Sequence, residues 1–415
     1  MSFLHRIANF ISPQAPAVQK SSGTGGWTSS VLTSGSGYSV TGLPITTQSA
    51  LAIPAVYAAV RALSEDIAKM PVSTQRRQGD AWITDNRHAA NRILRRPNQW
   101  HNSFDFWTTI TSQLALRGNG YAFIPRDGAG NPTGMIPVSP DHCHPEVYAD
   151  GRVLYRITHP LIGDNETVVV RREDMFHVRN FHLGSGVIGY SPIAIAAEAF
   201  GVASAVQVYA ARIFGNGTSL GGVLTTDGTL PDGAAQRVAD SWKAAYAGVG
   251  NSHKLAILEH GLKYEKLALN AEESQFIESR GFSVLEIARI FRIPPSKLAS
   301  LDNAHYANIE AENSNYVVDT LLPITRRIEE ELARVLLFSN ERDGYRLHFD
   351  SDALTRADIA TRFGVYEKAT TMGLLSVNEC RAREGLPPRA GGDEYRVSTM
   401  TESDADNNGI PDNQE

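Results

Sequence analysis

The stretch from Gly281 to Phe338, GFSVLEIARIFRIPPSKLASLDNAHYANIEAENSNYVVDTLLPITRRIEEELARVLLF, constrains this chain more than any other. Pro294 and Pro295 stand side by side between two helix-forming runs. Both lack an amide proton and bias the preceding residue away from helix, so one helix cannot pass through them. Upstream, Ser283 with Glu286 reads as a capping box and Phe282 with Ile287 as a hydrophobic staple, which predicts a helix to about Arg292. Ser296 to Ala307 are small, polar and turn-forming, which predicts a loop. Asn308 can cap a second helix, with Glu310 and Glu312 in the first turn, where the helix dipole favours acids. Val317, Leu321, Ile324, Ile328, Leu332 and Val335 recur at helical spacing, one apolar stripe about 40 Å long. Pro323 deletes the bond to the Asp319 carbonyl and predicts a kink.

The series ARIFRIPPSKLASLDNAHYANIEAENSNYVVDTLLPITRRIEEEL resembles the tunnel-loop region of tailed-bacteriophage portal proteins of the HK97-like family. The matching residues are Ile287, Ala288, Arg289, Ile290, Phe291, Pro294 and Pro295, then Tyr306, Asn308, Ile309 and Glu310, then Leu321, Leu322, Pro323, Arg327, Ile328 and Glu329. Arg292 stands where the family usually has glycine, and His305 where it often has threonine. The phrases ILRRPNQW, FDFWTTI, LALRGNGYAFIPRDGAGNPTGMIPVSPD and DMFHVRNF also look like the family's wing domain, so the resemblance covers about residues 47 to 396.

The resemblance implies an α+β, portal-type fold. It has a mixed helix and short-strand wing, two stem helices flanking a small α/β clip, a long kinked helix and a helical C-terminal crown. Laid on this chain, that gives a flexible N-terminal arm at 1–47, the first part of the wing at 48–190, stem helix 1 at 191–217 and the clip at 218–270. Stem helix 2 follows at 271–293, the tunnel loop at 294–308, the long helix and a wing strand at 309–350, the crown at 351–397 and an acidic tail at 398–415.

The function it implies is a non-enzymatic ring, usually a dodecamer, at one capsid vertex of the virion, through which duplex DNA is packaged, retained and ejected. Its implied partners are further copies of itself, double-stranded DNA read without sequence preference, the terminase large subunit, the major capsid protein and a head–tail connector. Assembly would occur in the host cytoplasm. Within the loop, Lys297, Asn303, His305, Tyr306 and Asn308 are candidates for the DNA side, Lys297 and His305 as phosphate donors. Packing of the loop or sealing of subunit contacts is the competing role for each. In the clip, Lys254, Lys263 and Lys266 are candidates for DNA or motor contact, against a plain solvated strand face.

At 415 residues the chain has room for two or three domains. A net charge of −6 argues against a dedicated nucleic-acid binder but not against a conduit, where a tight phosphate grip would act as a brake. Cys143 and Cys380, far apart, suggest a reducing compartment. No run of about 18 apolar residues predicts a membrane span. The amphipathic MSFLHRIANFIS reads as a frayed terminus or a partner-binding arm.

Further local signals are sharp. Ile53, Val56, Val60, Leu63 and Ile67 mark a helix that Pro71 stops, followed by a strand near Val72 to Arg77 and a Gly79-Asp80 turn. A helix from Asn102 or Ser103 buries Trp107, Ile110 and Leu114 and ends at Gly118. Short strands follow from Tyr121 to His182, with Asp150-Gly151 read as a two-residue hairpin turn. Ser191-Pro192 opens one helix to Phe214, apolar or small nearly all round, which a ring would wedge between neighbours. Beyond a strand from Tyr345 to Phe349, helices are expected from about Thr355 to Met372 and after Ser376.

Three motifs suggest other chemistry. Gly184 to Gly189 matches G-x-G-x-x-G, the basis of an alternative NAD(P)-binding enzyme, but Ser191-Pro192 starts the helix beyond the glycines and the flanking strands read as hairpins. His142-Cys143-His144 lacks a second ligand pair at metal spacing. The tail residues Asp404, Asp406, Asn408, Gly409 and Glu415 fill a calcium-loop pattern, to which Asp412 adds a carboxylate, against the alternative of a disordered acidic tail. Apart from this calcium, no cofactor is expected. No Walker A sequence, nucleophile elbow or HExxH motif is present.

Overall fold

The computed structural model describes residues 36–183, 186–215, 222–225, 263–266, 272–298, 312–354 and 359–395, with Gly233, Gln236, Arg237 and Asp240. The strands β1 (Ser36–Tyr38) and β2 (Pro44–Thr46) pair before α1 (Thr47–Leu51) and α2 (Pro54–Lys69). In α2, Pro54 fills the first turn, where no amide partner is needed, and Val56, Val60, Leu63 and Ile67 are all buried as their spacing predicts. β3 (Val72–Gln78) turns at Gly79 (φ +62) into β4 (Ala81–Thr84). Its other edge takes β13 (Tyr345–Phe349), so a strand late in the chain closes a sheet begun near its start.

After α3 (Ala90–Arg95), α4 (Ser103–Arg117) is capped by Asn102, whose side chain accepts from Asp105 N at 2.8 Å. It ends at Gly118 in the left-handed region (φ +72), where a Cβ would also collide with the Tyr190 carbonyl. Trp107 of α4 is fully buried and meets Phe349 edge-on at 5.1 Å and Phe176 at 6.3 Å, so one indole joins α4 to two sheets. The second of those sheets has the order β10-β5-β6, from β5 (Asn119–Phe123), β6 (Ile136–Val138) and β10 (Met175–Arg179). A third is β7 (Cys143–Val147), β8 (Val153–His159) and β9 (Ile162–Arg171), whose apolar face forms a smaller core with Tyr121 and Met175. The hairpin joining β7 to β8 is a correction. Tyr148 N donates to Arg152 O around Ala149, Asp150 and Gly151, a three-residue loop with Gly151 at φ +83. The glycine takes the left-handed position after a turn, not one of two central ones.

The helix expected from Ser191 to Phe214 is broken at Ala196 (φ −99, ψ 24) into α5 (Pro192–Ile195) and α6 (Ala197–Gly215). Ser191 caps as expected, accepting from Ala194 N, but its hydroxyl also donates to Leu116 O, which ties the helix start to the end of α4. Ile193, Ala197, Phe200 and Ala203 are buried. Ile195, Val202, Val208 and Tyr209 remain exposed, so within one chain only half of the apolar circumference is covered. β11 (Gly222–Thr225) pairs antiparallel with β12 (Lys263–Lys266).

Next, α7 (Glu272–Phe291) is one continuous helix. Ser283 therefore lies in its interior, not at an N-cap, and Phe282 is exposed, so neither capping box nor staple forms. The turns before Ser283 need no cap because the helix is already propagating there. The long helix, described from Glu312 onward, widens into a π turn at Val317–Leu321 and continues as α8 (Leu322–Leu336). The π turn, closed by Leu322 N donating to Val317 O, lies immediately before Pro323, where the sequence predicts an interruption of the hydrogen-bond ladder. Val317, Leu321, Ile328, Leu332 and Val335 are buried as one stripe.

Two glutamates on α8 point to opposite sides because two residues advance a helix by about 200°. Glu329 Oε1 accepts from Phe349 N of β13 at 2.7 Å. Glu331 Oε1 accepts from His177 N of β10 at 2.9 Å. Burial pushes the Glu331 carboxyl up, but Arg334 and Arg172 outweigh it and hold the pKa below the ordinary range.

The chain divides into two compact units, residues 1–354 and 355–415. In the second, α9 (Ile359–Thr371) is followed by α10 (Val377–Arg383), opened by a Ser376–Glu379 capping box. Glu384 accepts from Arg362 and Tyr366, and the Asn378 side chain bonds Arg389 and Asp393. Both cysteines are free and buried. Among the described residues no helix is long and apolar enough to cross a membrane.

Candidate functional site

The proline pair does not itself end α7. The helix closes one residue earlier by a Schellman motif: Ile293 N donates to Ala288 O at 2.9 Å and Arg292 N to Arg289 O at 3.1 Å. This geometry places Arg292 at φ +55, a left-handed position that glycine occupies without strain. Ile293 and Ala288, the two ends of the first of these bonds, are both buried. The chain then passes Pro294 into a single 3-10 turn, Pro295–Leu298.

Residues 299–311 lie outside the described part, but the chain on either side of them is pinned. Ser296 Oγ donates to Glu312 Oε2 at 2.9 Å, directly bridging the two ends. Thr320 Oγ1, in the π turn, donates to Arg292 O at 2.7 Å. Lys297 Nζ lies 2.8 Å from Asp66 Oδ2 of α2 and 4.7 Å from the centre of the Tyr316 ring. Asp66 is buried and also takes Lys69 Nζ at 3.0 Å, so one carboxylate answers two ammonium groups. Burial, then the charge of Asp66, pushes the Tyr316 phenol far up, so it stays protonated beside the pair. The bonds at 296, 297 and 320 hold the two helix ends at one place, and whatever 299–311 does, it does from a fixed base.

This placement changes the reading of Lys297. Sequence reasoning counts it among donors free to meet phosphate, whereas its amine is held within the chain by Asp66 and Tyr316. Asn303, His305, Tyr306 and Asn308 lie outside the described residues, as do Lys254 and the tail residues Asp404, Asp406, Asn408, Asp412 and Glu415. Lys263 and Lys266 are the two ends of β12, paired with Thr225 and Gly222. Asp66 and Tyr316 are the site residues that sequence reasoning missed. Asp66 sits in an ordinary amphipathic helix, 231 positions from Lys297, and carries no local signal. Arg292 did carry one, the glycine expected at its position.

Gly189, the last glycine of the motif, has a structural role. A Cβ on Gly189 would collide with the Gly118 carbonyl, and its amide donates to Asn119 Oδ1 at 2.7 Å. The strand before it, β10, pairs antiparallel with β5, so no βαβ crossover exists there for a dinucleotide. Among the described residues no group of three His, Cys, Asp or Glu could hold a metal.

Comparison with known proteins places this geometry. The family model described as phage portal protein matches residues 54–385. The chain is 31% identical over 370 residues to a probable portal protein of Streptomyces phage phiC31, covering 86% of this chain and 80% of the relative. It is 30% identical to the portal protein of Enterobacteria phage HK97 over 73% of this chain and 70% of that one. Among solved structures, an HK97 family phage portal protein from Corynebacterium diphtheriae aligns with TM-score 0.54 at 20% identity, covering 75% of this chain and 97% of that one. The neck of a native gene transfer agent particle, computed with C12 symmetry, gives 0.57 at 23% identity over 82% and 92%.

Proposed function

The chain belongs to the phage portal protein family, and from that premise we propose how it works: its copies close into a ring at one capsid vertex, and residues 299–311 project from each toward the axis along which duplex DNA passes. The observation that carries this reading is the pinned base of that loop, where Ser296–Glu312, Thr320–Arg292 and Lys297–Asp66 fix both ends to one rigid unit. A conduit needs no reactive group. It needs a rigid wall, a short adaptable edge and weak, sequence-independent contact with phosphate, which a chain of net charge −6 suits. Asn303, His305, Tyr306 and Asn308 are the proposed edge, and Lys297 anchors it.

A dodecamer is supported by the C12 neck that shares the fold. The exposed apolar face of α6, with Val202, Val208 and Tyr209, supports its role as a stem helix wedged between copies. β11 and β12 would be the clip, with Lys254, Lys263 and Lys266 toward the terminase large subunit and later the head–tail connector. Residues 351–397 would be the crown, inside the shell of the major capsid protein, and assembly would precede packaging in the host cytoplasm. The chain would act without catalysis. A calcium ion at Asp404, Asp406, Asn408, Asp412 and Glu415 is tested by titrating the full chain against one ending at Val397; no binding tighter than about millimolar dismisses it.

Electron microscopy of the purified full-length protein should show annular particles with a central hole. Deleting Ala299 to Ala304 should leave rings intact and reduce DNA filling or retention several-fold. Loss of rings on deletion would make the loop a subunit joint, and a protein that stays monomeric even with its capsid partners would end the reading. A gene transfer agent portal is the second reading, favoured by the gene transfer agent necks among the fold neighbours. Sequencing the DNA inside particles separates the two: fragments from the whole host chromosome mark the agent, one repeated genome the phage.

A further inference from the structure

A cleft of about 410 Å³ lies between the first turns of α8 and the end of β10, lined by Arg172, Arg179, His182, Arg326, Arg327 and Glu331 among others. Its charges are unevenly matched. Glu331 is shared by Arg172 at 2.7 Å and Arg334 at 2.7 Å, so two guanidinium groups divide one carboxylate. Arg326 has Glu329, which also serves His348. Arg179 donates to the Gly186 carbonyl and Arg327 to Asn180 Oδ1 at 3.4 Å, both neutral groups. Among the described residues neither has a carboxylate within ion-pair distance, and Arg292 adds a further positive charge near Arg327. Glu330, exposed on the rim, is the one lining carboxylate outside these pairs.

The same loop exposes Phe181 at 59% and Leu183 at 46%, on either side of His182. Arginine beside exposed aromatic and aliphatic groups is the composition of a protein interface. A surface built only to slide along phosphates gains nothing from them. Copies of a chain with net charge −6 carry matching groups, since Asp164, Glu166 and Asp343 are exposed with no ion pair among the described residues.

We propose that this cleft is one half of a charged joint, receiving an acidic side chain of the adjacent copy, with Arg179 and Arg327 as the waiting cations and Phe181 and Leu183 as its apolar rim. The joint rests on the ring reading above and gives that ring a salt-sensitive contact at the level of the loop base.

The test uses full-length protein. Ring formation is followed by mass photometry across protein concentration at 0.1 and 0.5 M salt for the parent, Arg179→Gln/Arg327→Gln and Arg179→Lys/Arg327→Lys. The Gln pair should raise the half-assembly concentration at least tenfold at low salt, with the melting midpoint of the subunit unchanged, and high salt should shrink the difference. The Lys pair, which keeps both charges, should recover most of the assembly. Unchanged assembly in the Gln pair, or equal loss in Gln and Lys pairs, overturns the joint. So does loss of duplex DNA binding with normal assembly, which would assign the cleft to phosphates. A parent that forms no ring at any concentration fails the portal reading instead, and is distinguished from these outcomes by the parent curve alone.

Discussion

Lys297 Nζ sits 2.8 Å from Asp66 Oδ2, and this ion pair fastens the start of the proposed channel loop to α2. Asp66 is 6% exposed and retains Lys69 as a second partner. Replacing Lys297 by Met should therefore cost about 2 kcal/mol, less than the full loss of a buried pair. Denaturant melts measure the cost, and DNA retention should fall because the loop base loosens. Unchanged stability would show that Lys69 alone satisfies Asp66.

Arg292 holds a left-handed backbone at φ +55, a conformation that glycine adopts without strain. Arg292→Gly should stabilise the subunit by about 0.5–1 kcal/mol, because the side chain's strain exceeds glycine's extra unfolded entropy. Arg292→Ala keeps the Cβ and should gain none of this. Equal melting midpoints for the Gly and Ala variants would refute strain at this cap.

Glu331 is held below the ordinary carboxylate pKa of 4.5 even though burial opposes its charge. Its contribution is present above the unfolded value and is lost as pH falls through the lower folded value. Glu331→Gln should cost about 3–5 kcal/mol at neutral pH, leaving Arg172 and Arg334 without their shared partner. The variant's stability should change less than the parent's between pH 5 and 3, and parallel acid limbs would argue against the assignment.

Gly118→Ala combines a left-handed φ of +72 with collision against the Tyr190 carbonyl. A loss of about 3 kcal/mol is expected, since neither backbone nor neighbour can yield cheaply. A change below about 1 kcal/mol would show that the α4–α5 junction can open.

Local signals were the legible ones. The Asn102 and Ser191 caps, the Gly118 terminus and the stripe from Val317 to Val335 each act within a few residues, so spacing and residue type suffice to find them. Ser283 misled because a capping pattern inside a helix already propagating has no work to do. Asp150-Gly151 misled by one residue because a turn's length is chosen by strand register, not by the turn dipeptide alone.

By itself, the order of residues determined that two helices lie on either side of Pro294-Pro295 and that the chain is worded like a portal subunit. Tertiary structure decided what the loop stands on: Asp66 beneath Lys297, Arg292 bonded to Thr320, and Glu329 and Glu331 stitching one helix to two sheets. The physical reason is range. Caps and prolines act on neighbouring backbone, whereas a buried charge is stabilised only by whichever distant group the finished fold brings within about 3 Å.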